Sequence, residues 1–289
     1  FPVILENTLH KLVLTGFEAA AITYDRFCKI GDVSDFRAWN RIVPGLIGNL
    51  DTVNEHGEYR NKNIPDGVKN PVQATRKGNI VQVTPETIVN DDIGYIQTMG
   101  QSLGAAGPRT IERAVYTYLT ANGALSDAVA LFHATHANLA GAGAVPSVAT
   151  IDAATVALAS QKAPGADAEY LGIMGPFVAL VPLAQRLNTL TIAKAVYDPD
   201  TANKLQRPNP VAGLLGDVVS SPYLSGTAWY LFANPSLAPV LEVVFLDGQR
   251  TPKVSAEENF RTGGLAWKVE LPFGVGAVDF RGGYKNPGA

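Results

Sequence analysis

The chain has 289 residues, enough for a large core in one or two domains. It is 46% hydrophobic and 17% charged, against about a quarter charged in ordinary proteins, which suits an apolar enzyme or a subunit that buries surface against its own copies. A formal net charge of −3 and a pI near 5.8 exclude the basic excess of a sequence-independent nucleic-acid binder.

Residues 5–29 read as a helical, arm-like segment with Leu9, Leu12, Val13, Phe17, Ala20 and Ile22 at its apolar positions. Gly16 interrupts the pattern, and Gly31-Asp32-Val33-Ser34-Asp35 punctuates its end. Cys28 within it is the single cysteine, so no intrachain disulfide forms. It reads as a small packed side chain in a reducing assembly site. No signal peptide is visible, and no apolar run reaches the roughly 18 residues of a membrane span. The longest candidate, Leu171 to Ala184, is broken by Pro176 and Pro182.

From 46 to 88 the character changes, with Asp51, Glu55, Glu58, Arg60, Lys62, Asp66, Lys69, Arg76 and Lys77 in one stretch. Two weak strands, 50–60 and 72–84, flank a turn at Ile64-Pro65-Asp66-Gly67. A lone two-stranded hairpin is marginal in water. It therefore needs a surface, either its own domain or another molecule, and deletion of roughly 60–72 is expected to leave a folded chain that fails to assemble with its copies.

Asn90-Asp91-Asp92 caps the clearest helix and places two carboxylates in its first turn. Ile93, Ile96, Met99 and Leu103, then Ile111, Val115, Tyr118 and Leu119, hold helical spacing. Asn122-Gly123 stops it. Gly104 and Gly107-Pro108 predict a kink or break, because proline lacks the amide hydrogen and its ring meets the carbonyl four residues back.

Between 124 and 255 helix and strand signals alternate. An Ala-rich helix over Ile151–Lys162, capped by Thr150, precedes a buried strand at Phe177–Val181. Pro182 opens a helix over Ala184–Val196, and Tyr197 to Gly213 is a loop. Asp217–Ser220, Trp229–Ala233 and Val240–Leu246 read as strands. In the tail, Trp267, Val269 and Leu271 alternate with Lys268 and Glu270, and Val278 and Phe280 alternate with Asp279 and Arg281. These two strands should close a sheet begun far upstream.

Chemical motifs are sparse. His133 and His136 would share a helix face, but a zinc site needs a third protein ligand and none is near. Asp91-Asp92 is better used as a cap, and Gly274-Val275-Gly276 lacks the third glycine and following helix of a dinucleotide site. There is no Walker loop, nucleophile elbow or Cys-x-x-Cys. The expectation is no catalytic residue, no cofactor and no metal.

The tail carries more. Asp247-Gly248, Pro252, Gly264, Trp267, Gly274, Gly276-Ala277, Asp279, Arg281-Gly282 and Tyr284-Lys285-Asn286-Pro287-Gly288 resemble the end of tailed-phage major capsid proteins, especially Mu-type major head subunits. Leu50–Tyr59, Ile88–Gly94 and Leu131–Leu139 are similar to the same family, in family order.

That resemblance implies the mixed α+β tailed-phage coat fold. It implies an N-terminal arm (1–45), an extended hairpin loop (46–88), a peripheral domain with a spine helix and C-terminal strands (89–123 and 256–289) and an axial domain (124–255). It implies a structural subunit that self-assembles, as pentamers and hexamers, into an icosahedral capsid enclosing double-stranded phage DNA held non-specifically. Assembly would take place in the host cytoplasm without a membrane, with scaffold, prohead protease, portal and decoration proteins as further partners. The expected assembly contacts are Glu55, Glu58, Tyr59, Arg60, Lys62, Asp66, Lys69, Arg76 and Lys77 on the loop and Asp279 and Arg281 on the last strand. Some coat proteins of this fold cross-link a loop lysine to an asparagine; Lys62, Lys69, Lys77 and Asn286 are the right types, but solvated lysines are the expectation here. An encapsulin-like compartment is the alternative, and a soluble metal-dependent hydrolase using His133 and His136 a third. The first residue, Phe1, fits either proteolytic maturation or an upstream stretch not included in the sequence.

Overall fold

A 27-residue helix, α2 (Tyr95–Ala121), is the axis on which the rest is built. At 1.5 Å per residue it is roughly 40 Å long. The computed structural model describes residues 2–46, 49–59, 61–62, 66–84, 86, 90, 94–165, 169–199, 207–258 and 264–289. The expected cap at Asp91-Asp92 lies outside them. Gly94, in the left-handed region at φ 64°, precedes the helix, and Asn122 ends it at φ 48°. The Asn122 side chain then accepts from Phe132 N–H at 2.8 Å and donates to its carbonyl at 3.1 Å, so the stop signal also anchors the next segment.

The helix is continuous through Pro108, and the expected break is absent. The glycines around it serve a different end. Helix α1 (Pro2–Ala19) lies along α2, and the two backbones nearly touch. A Cβ on Gly104 would overlap the carbonyl oxygen of Val13, and one on Gly16 would overlap that of Gln101. Val13 is fully buried between them and packs with Val83 and Trp267.

Twelve strands are described: β1 (Cys28–Val33), β2 (Trp39–Val43), β3 (Val68–Val72), β4 (Gly78–Val83), β5 (Phe177–Val181), β6 (Leu215–Ser220), β7 (Trp229–Phe232), β8 (Leu241–Leu246), β9 (Lys253–Glu258), β10 (Leu265–Glu270), β11 (Phe273–Ala277) and β12 (Gly283–Asn286). They form sheets ordered β1-β8-β11, β4-β10-β9 and β12-β7-β5-β6, and a two-stranded ribbon, β2-β3. Cys28 thus opens a strand rather than sitting in a helix; it is buried, as expected, and burial pushes its thiol well above the usual value.

Two cores share one sheet, β12-β7-β5-β6. Along β7, Tyr230 and Phe232 face the core beneath α2, with Phe27, Ile111, Leu119, Phe132, Phe245 and Phe273. Trp229 and Leu231 face the other way, into a second core with Ile151, Leu158, Phe177 and Ile192. Alternation along a strand makes this division automatic. Helices α3 (Val148–Ala159) and α4 (Arg186–Lys194) cover that second core. The cap of α3 is Ser147, not Thr150. The Ser147 side chain accepts from Thr150 N–H and the Thr150 hydroxyl accepts from Ser147 N–H, a reciprocal box that fixes the helix start three residues earlier than expected.

The tail differs most from expectation. β10 pairs with β4 and β9, as a strand closing a sheet begun upstream should. The second strand is β11, five residues earlier than Val278–Arg281, and it pairs with β8 in a different sheet. Residues 278–281 turn instead, because the Asp279 carboxylate accepts from Phe280 N–H at 2.8 Å. The expected strand 50–60 does not form among the described residues. The partner of the 72–84 segment is β10, and the ribbon at the loop's base is made by β2, which no local pattern announced.

Candidate assembly surface

The β2-β3 ribbon lies across the face of the β1-β8-β11 sheet that points away from the core under α2. Arg41 of β2 and Asn70 of β3 are opposite each other in register, so both point down onto that sheet. The Arg41 guanidinium meets the Glu242 carboxylate of β8 at 2.5 Å, and Glu242 is 2% exposed. Asn70 donates to Val278 C=O at 2.8 Å and accepts from Ser126 N–H at 3.1 Å. Val72 closes a small apolar contact with Val33, Ala74 and Val244. The sheet makes room for this: a Cβ on Gly31 would overlap Glu242, and one on Gly276 would press on Val72 at 2.7 Å. Gly276 of the tail motif is therefore part of the bed of the ribbon, and Gly274 meets the backbone of Gln73 just beyond it, rather than forming a phosphate cradle.

Beyond the ribbon the chain continues through 44–67. Its described part is almost wholly exposed, with Leu50 at 96% and Tyr59 at 89%. Glu55, Glu58 and Asp66 are exposed, and Arg60 lies outside the described residues. Lys62 pairs with Asp51 at 3.2 Å and donates to Asn49 C=O within the loop. Asn49 Nδ2 in turn donates to Glu169 at 2.7 Å, tying the loop's base to the body. Lys69 projects outward from β3. Arg76 and Lys77 follow the ribbon: Arg76 pairs with Glu270 at 3.1 Å, and Lys77 Nζ lies 4.5 Å from the centre of the Phe273 ring.

A groove runs beside α2. Two adjoining hollows of about 400 and 590 Å³ share Lys77, Thr110 and Phe273. Arg76, Lys77 and Arg113 give its rim positive charge, and Leu271, Phe273 and Val275 supply apolar floor.

Asp279 and Arg281 are not on this surface. Both are buried, and they pair with each other at 2.8 Å, with Arg281 Nε donating to Lys162 C=O at 2.6 Å. Burial pushes the Asp279 carboxyl upward against the pull of Arg281 and neighbouring N–H groups. They leave the contact set because the 278–281 turn folds them inward.

The histidines join the same internal knot. The His136 ring stacks on Phe280 at 3.8 Å, and the Arg281 guanidinium lies 4.4 Å from the centre of the Phe280 ring. His136 Nε2 contacts Asp127 at 2.8 Å, while His133 Nδ1 accepts from Thr135 N–H. The two rings serve different partners and do not converge; no group of three metal-ligating residues occurs among the described residues. Asn138, fully buried, accepts from His133 N–H and donates to the carbonyls of Leu131 and Phe280. Asn286, the cross-linking candidate, is buried and accepts from Ala144 and Gly288 N–H. Sequence reasoning passed over Glu112 altogether. It is buried on α2 and accepts from the N–H groups of Thr23 and Tyr24 and the hydroxyls of Thr23 and Ser221, joining the α1–β1 connection to the helix.

The family model described as "Phage capsid protein" matches residues 68–286, about three quarters of the chain. The chain belongs to this phage capsid protein family. The match begins at the first residue of β3 and ends at the last residue of β12, so it takes in one strand of the ribbon, the groove and both cores of the capsid protein. No curated relative matches it in sequence. Its fold is similar to the capsid protein of cyanophage P-SCSP1u, with a TM-score of 0.59 at 10% identity over 93% of this chain and 89% of that one. It is also similar to the capsid of a native GTA particle, with a TM-score of 0.61 at 12% identity over 92% and 89%. A virus-like particle from Pyrococcus furiosus matches with a TM-score of 0.55 at 13% identity over 97% and 98%. At these identities the fold is what is shared. The family assigns this capsid protein to the structural shell of a virion, as a subunit that assembles with its own copies.

Proposed function

We propose that chain 44–67, carried on the β2-β3 ribbon, is the arm by which one subunit lies on the next in an icosahedral shell of Mu-type organisation. The observation that carries this is the nearly complete exposure of Leu50 and Tyr59 on a segment with little support from its own subunit. Exposed large apolar side chains on an extended loop mark a surface awaiting a partner.

The chemistry of the groove beside α2 supports a copy as that partner. Over the whole arm, residues 44–67, the carboxylates Asp51, Glu55, Glu58 and Asp66 outnumber Arg60 and Lys62 by four to two. The groove rim presents Arg76, Lys77 and Arg113 around apolar floor. An acidic, apolar arm and a basic, apolar groove are complementary. Glu55, Glu58, Tyr59, Arg60, Lys62, Asp66 and Lys69 form the arm side of the contact, and Arg76 and Lys77 the groove side. Many weak contacts of one kind, repeated by symmetry, close a stable shell.

In this reading 1–45 supplies the N-terminal arm, 89–123 with 256–289 the peripheral domain and 124–255 the axial domain around five- and six-fold positions, with β1 and β8 joining β11 in one sheet and β12 crossing to the sheet of β7, β5 and β6. The 46–88 loop extends its root back to Trp39. The shell encloses double-stranded DNA without specific contacts, consistent with the mildly acidic chain. Assembly takes place in the host cytoplasm with scaffold, prohead protease, portal and decoration proteins as partners.

The variant Leu50→Asp/Tyr59→Asp tests the arm. Its subunit should unfold at the wild-type denaturant midpoint, since neither side chain is packed, and its shell yield should fall at least tenfold. Wild-type yield from this variant would remove the arm from the assembly contact.

A further inference from the structure

Glu242 is an unusual side chain for its place. Strand β8 is the middle strand of its sheet, and Leu241, Val243 and Phe245 point into the core beneath α2. Glu242 points to the opposite face, whose cover is the β2-β3 ribbon. Among the described residues the ribbon pairs with no other strand. It is held down by Val72, by Asn70 and by Arg41, which sits directly across from Asn70. Gly31 leaves the space that the Glu242 carboxylate occupies.

A charge buried by the ribbon constrains how the ribbon can lie. Seated in any other register, the ribbon would cover the carboxylate without its cation, and an uncompensated buried charge is strongly disfavoured. A buried ion pair adds little net stability over an apolar pair of equal size, but it discriminates among arrangements. The apolar contact of Val72 lacks that discrimination.

We propose that the Glu242–Arg41 pair is the positioning latch of the arm: it fixes the register and angle at which chain 44–67 leaves the body, and so governs shell assembly rather than subunit folding. The proposal rests on the arm's acting between copies.

Two variants test it. Arg41→Met/Glu242→Leu replaces the pair by apolar side chains, and Glu242→Gln removes the charge alone. In both, the unassembled subunit should keep the wild-type far-UV spectrum and core amide protection. Amides of residues 39–43 and 68–72 should exchange at least tenfold faster, and shells should be tenfold fewer or lose their single diameter by electron microscopy. Shells of wild-type yield and diameter from either variant overturn the latch. So does loss of core protection in both variants, which would make the pair a folding element. A deletion of residues 49–59 separates this from the reading beneath it: normal shells from the deletion remove the arm itself, whereas normal shells from Glu242→Gln remove only its latch.

Discussion

Asn138 shows how the tail motif holds the subunit together. Its side chain satisfies one N–H and two carbonyls, all inside the protein. Each buried group left without a partner costs about 1–3 kcal/mol. Asn138→Ala should therefore destabilise the unassembled subunit by about 3 kcal/mol or more, read as a shift in the urea midpoint. A loss below about 1 kcal/mol would mean that water replaces the amide. Asp127 beside His136 adds a pH dependence. Burial acts to raise its pKa, but the Val129 N–H and the His136 ring outweigh it and hold the carboxyl below the ordinary range. A depressed folded value means the contribution is present above the ordinary carboxylate pKa near 4 and is lost as pH falls through the folded value. The stability gap between wild type and Asp127→Asn should accordingly narrow below about pH 4, when urea titrations are run from pH 7 downward. A constant gap would assign Asp127 no titrating role.

At the scale of elements, the α1–α2 contact makes the sharpest claim. Alanine is a better helix former than glycine by about 1 kcal/mol. At Gly104 the added methyl would overlap the Val13 carbonyl oxygen, so α1 must move away. Gly104→Ala should lose about 1–3 kcal/mol by overpacking despite its propensity gain and speed amide exchange in α1. Gly123→Ala, with nothing within 4 Å, should be close to neutral. The same contact explains what the sequence concealed. Periodicity revealed α2, which buries one face, whereas short continuous apolar runs revealed β5, β7 and β8, which are buried on both faces. Periodicity misread Gly16, Gly104 and Pro108 as interruptions, since the close approach that requires glycine comes from a helix some 90 positions away in sequence. A weak signal in 50–60 suggested a strand that does not form among the described residues, whereas β2 and β3 pair across 24 intervening residues. β9, Lys-Val-Ser-Ala-Glu-Glu, is too polar to announce itself. The family motifs were legible, but the burial of Glu112, Glu242, Asn70 and Asn138 was not, because all four have partners at least 88 residues away.

For the whole molecule, two cores and a ribbon carry one largely exposed segment, and the proposed shell contact requires that segment to find a neighbour. The structure also sets where it can be cut. Removing 60–72 would take Asn70 and Val72 out of the ribbon and disturb the body, so failure to assemble would be uninformative. Removing 49–59 takes out exposed chain with a single described tie to the body, at Asn49. The decisive measurement is sedimentation velocity with electron microscopy of the wild-type protein and the 49–59 deletion, side by side. The account predicts closed shells from the wild type and a folded, slowly sedimenting subunit from the deletion. Closed shells of normal diameter from the deletion, or a wild-type protein that stays monomeric at high concentration, would contradict it.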